Sequence, residues 1–127
     1  MSYDVLVFDP DLVSDDDFPD WWEKNPLVEW EDDPAAMIPG LQSLYHELRR
    51  YFPALNGPDA VDDATLLARP GMGGYVADYG FGPRHMYISV GWDRVEDLLG
   101  RLYEAAPRHG VAIARVDACE ILRPIDV

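Results

Sequence analysis

Positive charge, cysteine, histidine and long apolar runs are all scarce in this 127-residue chain. Ten basic residues face 24 acidic ones, for a formal net charge of −14, and only one of the ten, Lys24, is a lysine. A surface of that sign repels the phosphate backbone of nucleic acids and anionic lipid headgroups, so neither is an expected partner. The single cysteine, Cys119, cannot close a disulfide within the chain, and in the strand-like run ACEIL a buried, inert thiol is its ordinary reading. Three scattered histidines do not supply a zinc ligand set. The apolar runs, such as Val5 to Phe8, fall far short of the ~20 residues a membrane span needs. The start, MSYDVLVFD, has neither the basic stretch nor the small-residue cleavage site of a secretory leader, so the cytoplasm is the expected compartment.

What the chain does have is apolar and aromatic content, 48% and 12%, well above that of a disordered acidic tail, so it is expected to fold. Its length suits a single domain over residues 1–127. YDVLVFD is apolar on both of its alternating faces, as a central strand is when both faces are covered, and predicts a strand over residues 3–9 that Pro10 ends. SDDDFPDWWEKN predicts a short helix capped by Ser14 or one of the three aspartates, with Phe18, Trp21 and Trp22 on one face. Leu41, Leu44, Tyr45, Leu48, Tyr51 and Phe52 recur at helical spacing between Pro39 and Pro53, and a long connection rich in Gly, Pro and Asp follows.

GYVADYGFGPRHMYISVGW predicts a hairpin whose loop of three to five residues lies in Gly-Phe-Gly-Pro, with Met86, Ile88, Val90 and Trp92 on the apolar face of its second strand. Asp93 and Glu96 form a D-x-x-E capping pattern before a helix carrying Val95, Leu98, Leu99, Leu102 and Ala106, which Gly110 stops. VAIARV and CEILRP close the chain as two strands around a tight turn at Asp117-Ala118. The expected fold is α+β, a mainly antiparallel sheet with helices packed on one face, in the order β-α-α-β-β-α-β-β. Its β-β-α-β stretch is compatible with a ferredoxin-like arrangement.

No catalytic signature emerges. Gly-Met-Gly-Gly at 71–74 precedes a strand instead of a helix, so it lacks the N–H cradle that phosphate needs and reads as a turn. Nothing local brings Ser14, Ser43, Ser89 or Cys119 to His46, His85 or His109 as a nucleophile and base. The runs Asp15 to Asp17 and Glu31 to Asp33 lack the alternate spacing and turn glycine of a calcium loop. No catalytic residue, metal ligand or cofactor is therefore assigned.

The acidity is uneven. Residues 1–33 hold twelve acids and one base, and inside that stretch WWEKNPLVEWEDD carries three of the four tryptophans. Aromatic anchors ringed by carboxylates suit a partner surface rich in lysine and arginine. The bland alternatives are that Phe18 and one of the tryptophans face the sheet, and that the acids merely keep the surface soluble. The candidate contacts are Trp22, Glu23, Trp30, Glu31, Asp32 and Asp33, with Asp59, Asp62 and Asp63 as a second patch.

In the order YDVLVFDP, the tryptophan-bearing short helix, EDDP before a proline-started helix, LYHELRRYFPALNGPDA, the ADYGFG to MYISVGW hairpin and HGV, the chain resembles a group of small acidic bacterial proteins. Similar proteins are read as immunity partners of polymorphic toxins. The resemblance spans nearly the whole chain and brings no catalytic residues. It implies a non-catalytic binding protein that neutralises a cognate toxin domain by occlusion. Two rivals stand beside it: a small enzyme or ligand-binding protein with a pocket near Tyr79, Tyr87 and His85, and an acidic adaptor or nucleic-acid mimic with carboxylates at phosphate-like spacing.

Overall fold

In the computed structural model, residues 2–24, 33–54, 60, 62–68, 75–115 and 120–122 are described. Five strands, β1 (Ser2–Phe8), β2 (Asp78–Gly82), β3 (His85–Gly91), β4 (Ala112–Arg115) and β5 (Glu120–Leu122), form one sheet in the order β2-β3-β1-β4-β5, and every neighbouring pair is antiparallel. Among the described residues four α-helices accompany it: α1 (Phe18–Lys24), α2 (Pro39–Leu48), α3 (Asp63–Ala68) and α4 (Val95–His109). The α+β class and the expected sequence of elements are seen, with α3 added inside the long connection. Taken without α1, α3 and β5, the order β1-α2-β2-β3-α4-β4 and its pairing make the split βαβ arrangement of ferredoxin-like folds.

β1 is central because it is apolar on both faces. Tyr3, Val5 and Val7 point into the main core under α2 and α4, while Leu6 and Phe8 point into a second cluster on the other side. Helices therefore do not all share one face: the two long ones do, and α1 lies opposite them. The physical reason is in β1 itself, since Leu6 and Phe8, fully buried, need a cover that α2 and α4 cannot reach through the sheet.

The main core closes on Tyr45 of α2. Its ring meets Tyr79 and Phe81 edge-on, with both centroids 5.0 Å away, and the Tyr79 hydroxyl donates to the Phe52 carbonyl at 2.7 Å. Burial raises the Tyr79 hydroxyl above the ordinary tyrosine range, which keeps it a proton donor in that bond.

Local chemistry explains where elements stop. α2 ends at Leu48, short of Phe52: Arg50 and Tyr51 donate to the Glu47 and Leu48 carbonyls in tighter turns, and Phe52 to Leu48 at 2.7 Å, before Pro53. The hairpin turns on two residues, Pro83 and Arg84, with Gly82 and His85 as its closing pair, so Gly-Phe-Gly belongs to β2 and not to a longer loop. Asp93 and Glu96 do not make the expected capping box, because a 3-10 turn over Trp92–Arg94 leads into α4 with no side-chain cap. That turn also takes Trp92 off the strand face, leaving it half exposed with its edge on Tyr3. At the other end Gly110 adopts φ 68°, donating to Pro107 while Val111 donates to Ala106, the paired closure of a left-handed C-terminal stop. The Asp117-Ala118 turn and Cys119 lie outside the described residues.

Candidate functional site

The second face of the sheet is where the acidic first quarter of the chain meets aromatic surface. Leu6 and Phe8 of β1 and the small Ala112 and Ala114 of β4 form a floor with room above it. Phe18 of α1 fills that room, its ring 5.7 Å from Phe8. Trp21 and Trp22, three and four residues on, flank it at 5.8 and 6.3 Å. Both are half-buried, so the helix spacing lets the adjacent pair share one cluster.

Each tryptophan then rests on a different β3 side chain. Trp21 meets the His85 ring edge-on at 5.4 Å, and Trp22 lies nearly parallel to Tyr87 at 6.2 Å and 17°. Gly82 accommodates His85, since a Cβ there would clash with the imidazole. Burial lowers the His85 pKa, so the neutral ring is favoured against the indole. Next along the same face, Asp4, Ser89 and Asp78 stand in register across β1, β3 and β2. Burial first, then a hydrogen bond with Asp4 and the negative charges of Asp4 and Asp78, raises the Tyr87 hydroxyl above its ordinary range. A phenol held protonated in this way is a hydrogen-bond donor and a poor base at neutral pH.

The same short segment, α1 and the residues just before it, carries a run of carboxylates. Asp15, Asp16, Asp17, Asp20 and Glu23 are all exposed. Their placement follows from how α1 starts: the Asp17 amide donates to Ser14 Oγ at 3.2 Å and Ser14 Oγ donates to the Asp17 carboxylate at 2.9 Å, after which Trp21 N–H bonds the Asp17 carbonyl. Farther back, Arg84 pairs with Asp9 at 2.9 Å, tying the end of β1 to the hairpin turn.

Of the residues singled out from sequence, Trp22 and Glu23 stand together on α1, the first in the aromatic layer and the second exposed beside it. Asp33 is exposed on another segment and caps the 3-10 turn Pro34–Ala36, accepting from Ala35 N–H at 2.9 Å. Asp62 is exposed just before α3 and Asp63 opens it. Trp30, Glu31, Asp32 and Asp59 lie outside the described residues. Sequence reasoning named Tyr87 and His85 only as part of a pocket with Tyr79, and missed Asp4 and Asp78, which complete the sheet side of the site. The signal available was the alternation of β3, in which His85, Tyr87 and Ser89 oppose the apolar face.

The pocket sketched around Tyr79, Tyr87 and His85 does not form. Tyr79 points into the main core with Phe81, whereas Tyr87 packs in the cluster on the other side of the sheet and His85 meets Trp21 there. Among the described residues, no group of three or more His, Cys, Asp or Glu is placed to hold a metal ion, and no helix is long and apolar enough to cross a membrane. Comparison with protein families, curated proteins and solved structures finds no match to the chain.

Proposed function

We propose that this chain is a non-catalytic acidic binding protein that receives a basic protein partner on its α1 face, and that the partner is a bacterial toxin domain neutralised by occlusion. The observation that carries this reading is that five exposed carboxylates, Asp15, Asp16, Asp17, Asp20 and Glu23, lie on or just before the short helix that carries two half-buried tryptophans. The two sets of side chains do different physical work. Exposed acids draw in a cationic surface and raise the association rate, an effect screened beyond ~8–10 Å at physiological salt. Half-buried indoles keep ring surface for a partner while already fixed in place, which suits slow dissociation. The toxin identity rests on the sequence resemblance, and Trp30, Glu31 and Asp32 stay candidates on sequence grounds.

The test is co-expression with the product of a toxin gene lying immediately upstream, followed by binding kinetics. Replacing the five carboxylates by their amides should slow association and flatten its salt dependence, leaving dissociation nearly unchanged. Trp22→Ala should speed dissociation by the equivalent of ~2 kcal/mol or more. Survival of toxicity on co-expression, with no complex formed, would remove the proposal.

A further inference from the structure

On the opposite side of the sheet from α1, the end of α2 and the outer face of α4 enclose a groove of about 170 Å³. Three guanidinium groups line it, Arg50 from the turn after α2 and Arg101 and Arg108 from α4. That is a marked concentration of positive charge in a chain with only ten basic residues. We propose that this groove is a binding site for a small tetrahedral oxyanion of the phosphate class.

The argument starts from where the arginines spend their hydrogen-bonding capacity. Arg108 is committed: it grips Glu47 with two bonds of 2.9 Å and stands 3.9 Å from Glu104. Arg101 is not. Asp97 lies four residues before it and Glu104 three after, both at pairing distance on a helix surface. Its guanidinium instead lies over the Tyr51 ring, 3.6 Å from the centroid. Stacking occupies the face of a guanidinium and leaves the N–H fork in its plane open. Among the described residues, neither Arg101 nor Arg50 has a carboxylate within ion-pair distance.

Tyr51 completes the site as a platform. It is 46% exposed, so the stacked pair sits at the groove surface where a ligand can reach it. The carbonyl end of α2 would oppose an anion, but its last carbonyls already accept from Arg49, Arg50, Tyr51 and Phe52. Glu47 is offset by Arg108, with His109 Nε2 also 3.6 Å away, leaving Arg50 and Arg101 against Glu104 alone. Donors arriving from two chain segments suit an anion that accepts in several directions, while one planar carboxylate is satisfied by a single fork.

The experiment titrates inorganic phosphate into the full chain at constant ionic strength, reading backbone amides and the Arg101 Nε–H by NMR. Saturable shifts at Tyr51 and Arg101, absent from α1, are expected, with Arg50→Gln and Arg101→Gln each weakening binding about tenfold or more. Acetate is the second arm and should bind more weakly at the same signals. Shifts that fail to saturate, or that persist unchanged in the doubly substituted chain, would overturn the site, and acetate binding as tightly as phosphate would overturn the tetrahedral assignment.

Discussion

Truncating Phe18 to alanine tests whether α1 is held by its aromatic underside. The ring is 6% exposed and touches Phe8, Trp21 and Trp22 at centroid distances of 5.7, 5.8 and 6.3 Å. Emptying such a site costs ~3–5 kcal/mol when the surroundings cannot collapse. α1 has another escape. At seven residues it is well below the ~12–15 that make an isolated helix even marginal, so its helicity depends on docking. Once docking is weakened, undocking α1 becomes cheaper than keeping a cavity, and the loss is capped at the free energy that held the helix down. The expected result is rapid hydrogen exchange at the Trp21 amide, a red-shifted tryptophan emission, and retained protection in β1 and β3. Urea unfolding should then show a global loss below the ~3–5 kcal/mol of an uncollapsed cavity. Protection at Trp21 equal to wild type, together with a loss below ~1 kcal/mol, would refute the docking argument.

Two further outcomes follow from the opposite layer and from the imidazole. Leu99→Ala should cost ~2–5 kcal/mol in urea unfolding, because Leu99 sits on the buried stripe of α4, while the exposed Tyr103→Ala on the same helix should stay within ~0.5 kcal/mol. His85 is held neutral by burial, with its folded pKa below the ordinary imidazole value. Its contribution is fully present above that value and is lost as pH falls through the folded pKa, because only the unfolded chain takes up the proton readily. Stability measured from about pH 7.5 to about 5.5, across the imidazole window, should fall less steeply in His85→Gln than in wild type. Equal slopes would mean that His85 is not buried neutral. Glu47, whose carboxyl is held below its usual range by the Arg108 hydrogen bond, adds a further loss only in stronger acid.

The elements were legible where one local rule dominated. Proline at 39 marked the start of α2, Gly110 marked the end of α4, and the two-faced apolarity of YDVLVFD placed β1 inside the sheet. What escaped depends on contacts between distant segments. Asp93 and Glu96 have capping spacing, yet the 3-10 turn at Trp92 shifts the helix start and leaves the box unmade. Helices were expected on one face because α2 and α4 each carry a clear stripe. Yet Leu6 and Phe8 already required a second cover, and only the pairing of β1 between β3 and β4 shows that α1 supplies it. At the candidate site the α1 half was readable as aromatics among acids. The sheet half was not, since nothing in sequence brings Tyr87 beneath Trp22 or sets Asp4 and Asp78 on either side of Ser89.

The position of α1 gives the proposed interface a thermodynamic consequence. A short helix that is stable only when docked presents its tryptophans in a binding-competent arrangement for the fraction of time it is docked, and apparent affinity falls by that fraction. A partner that covers Trp21 and Trp22 stabilises the docked form in return, by mass action. Losses at the face therefore separate by mechanism. Removing the exposed carboxylates other than Asp17, which accepts from Ser14 where α1 starts, acts on encounter. Removing Phe18, which the partner need not touch, lowers the docked population and weakens binding through α1 itself. Trp22 belongs to both classes, being stacked on Phe18 and Tyr87 while half-exposed. Its truncation must be read against Phe18→Ala: only the part of the affinity loss that exceeds the fall in α1 docking is contact with the partner.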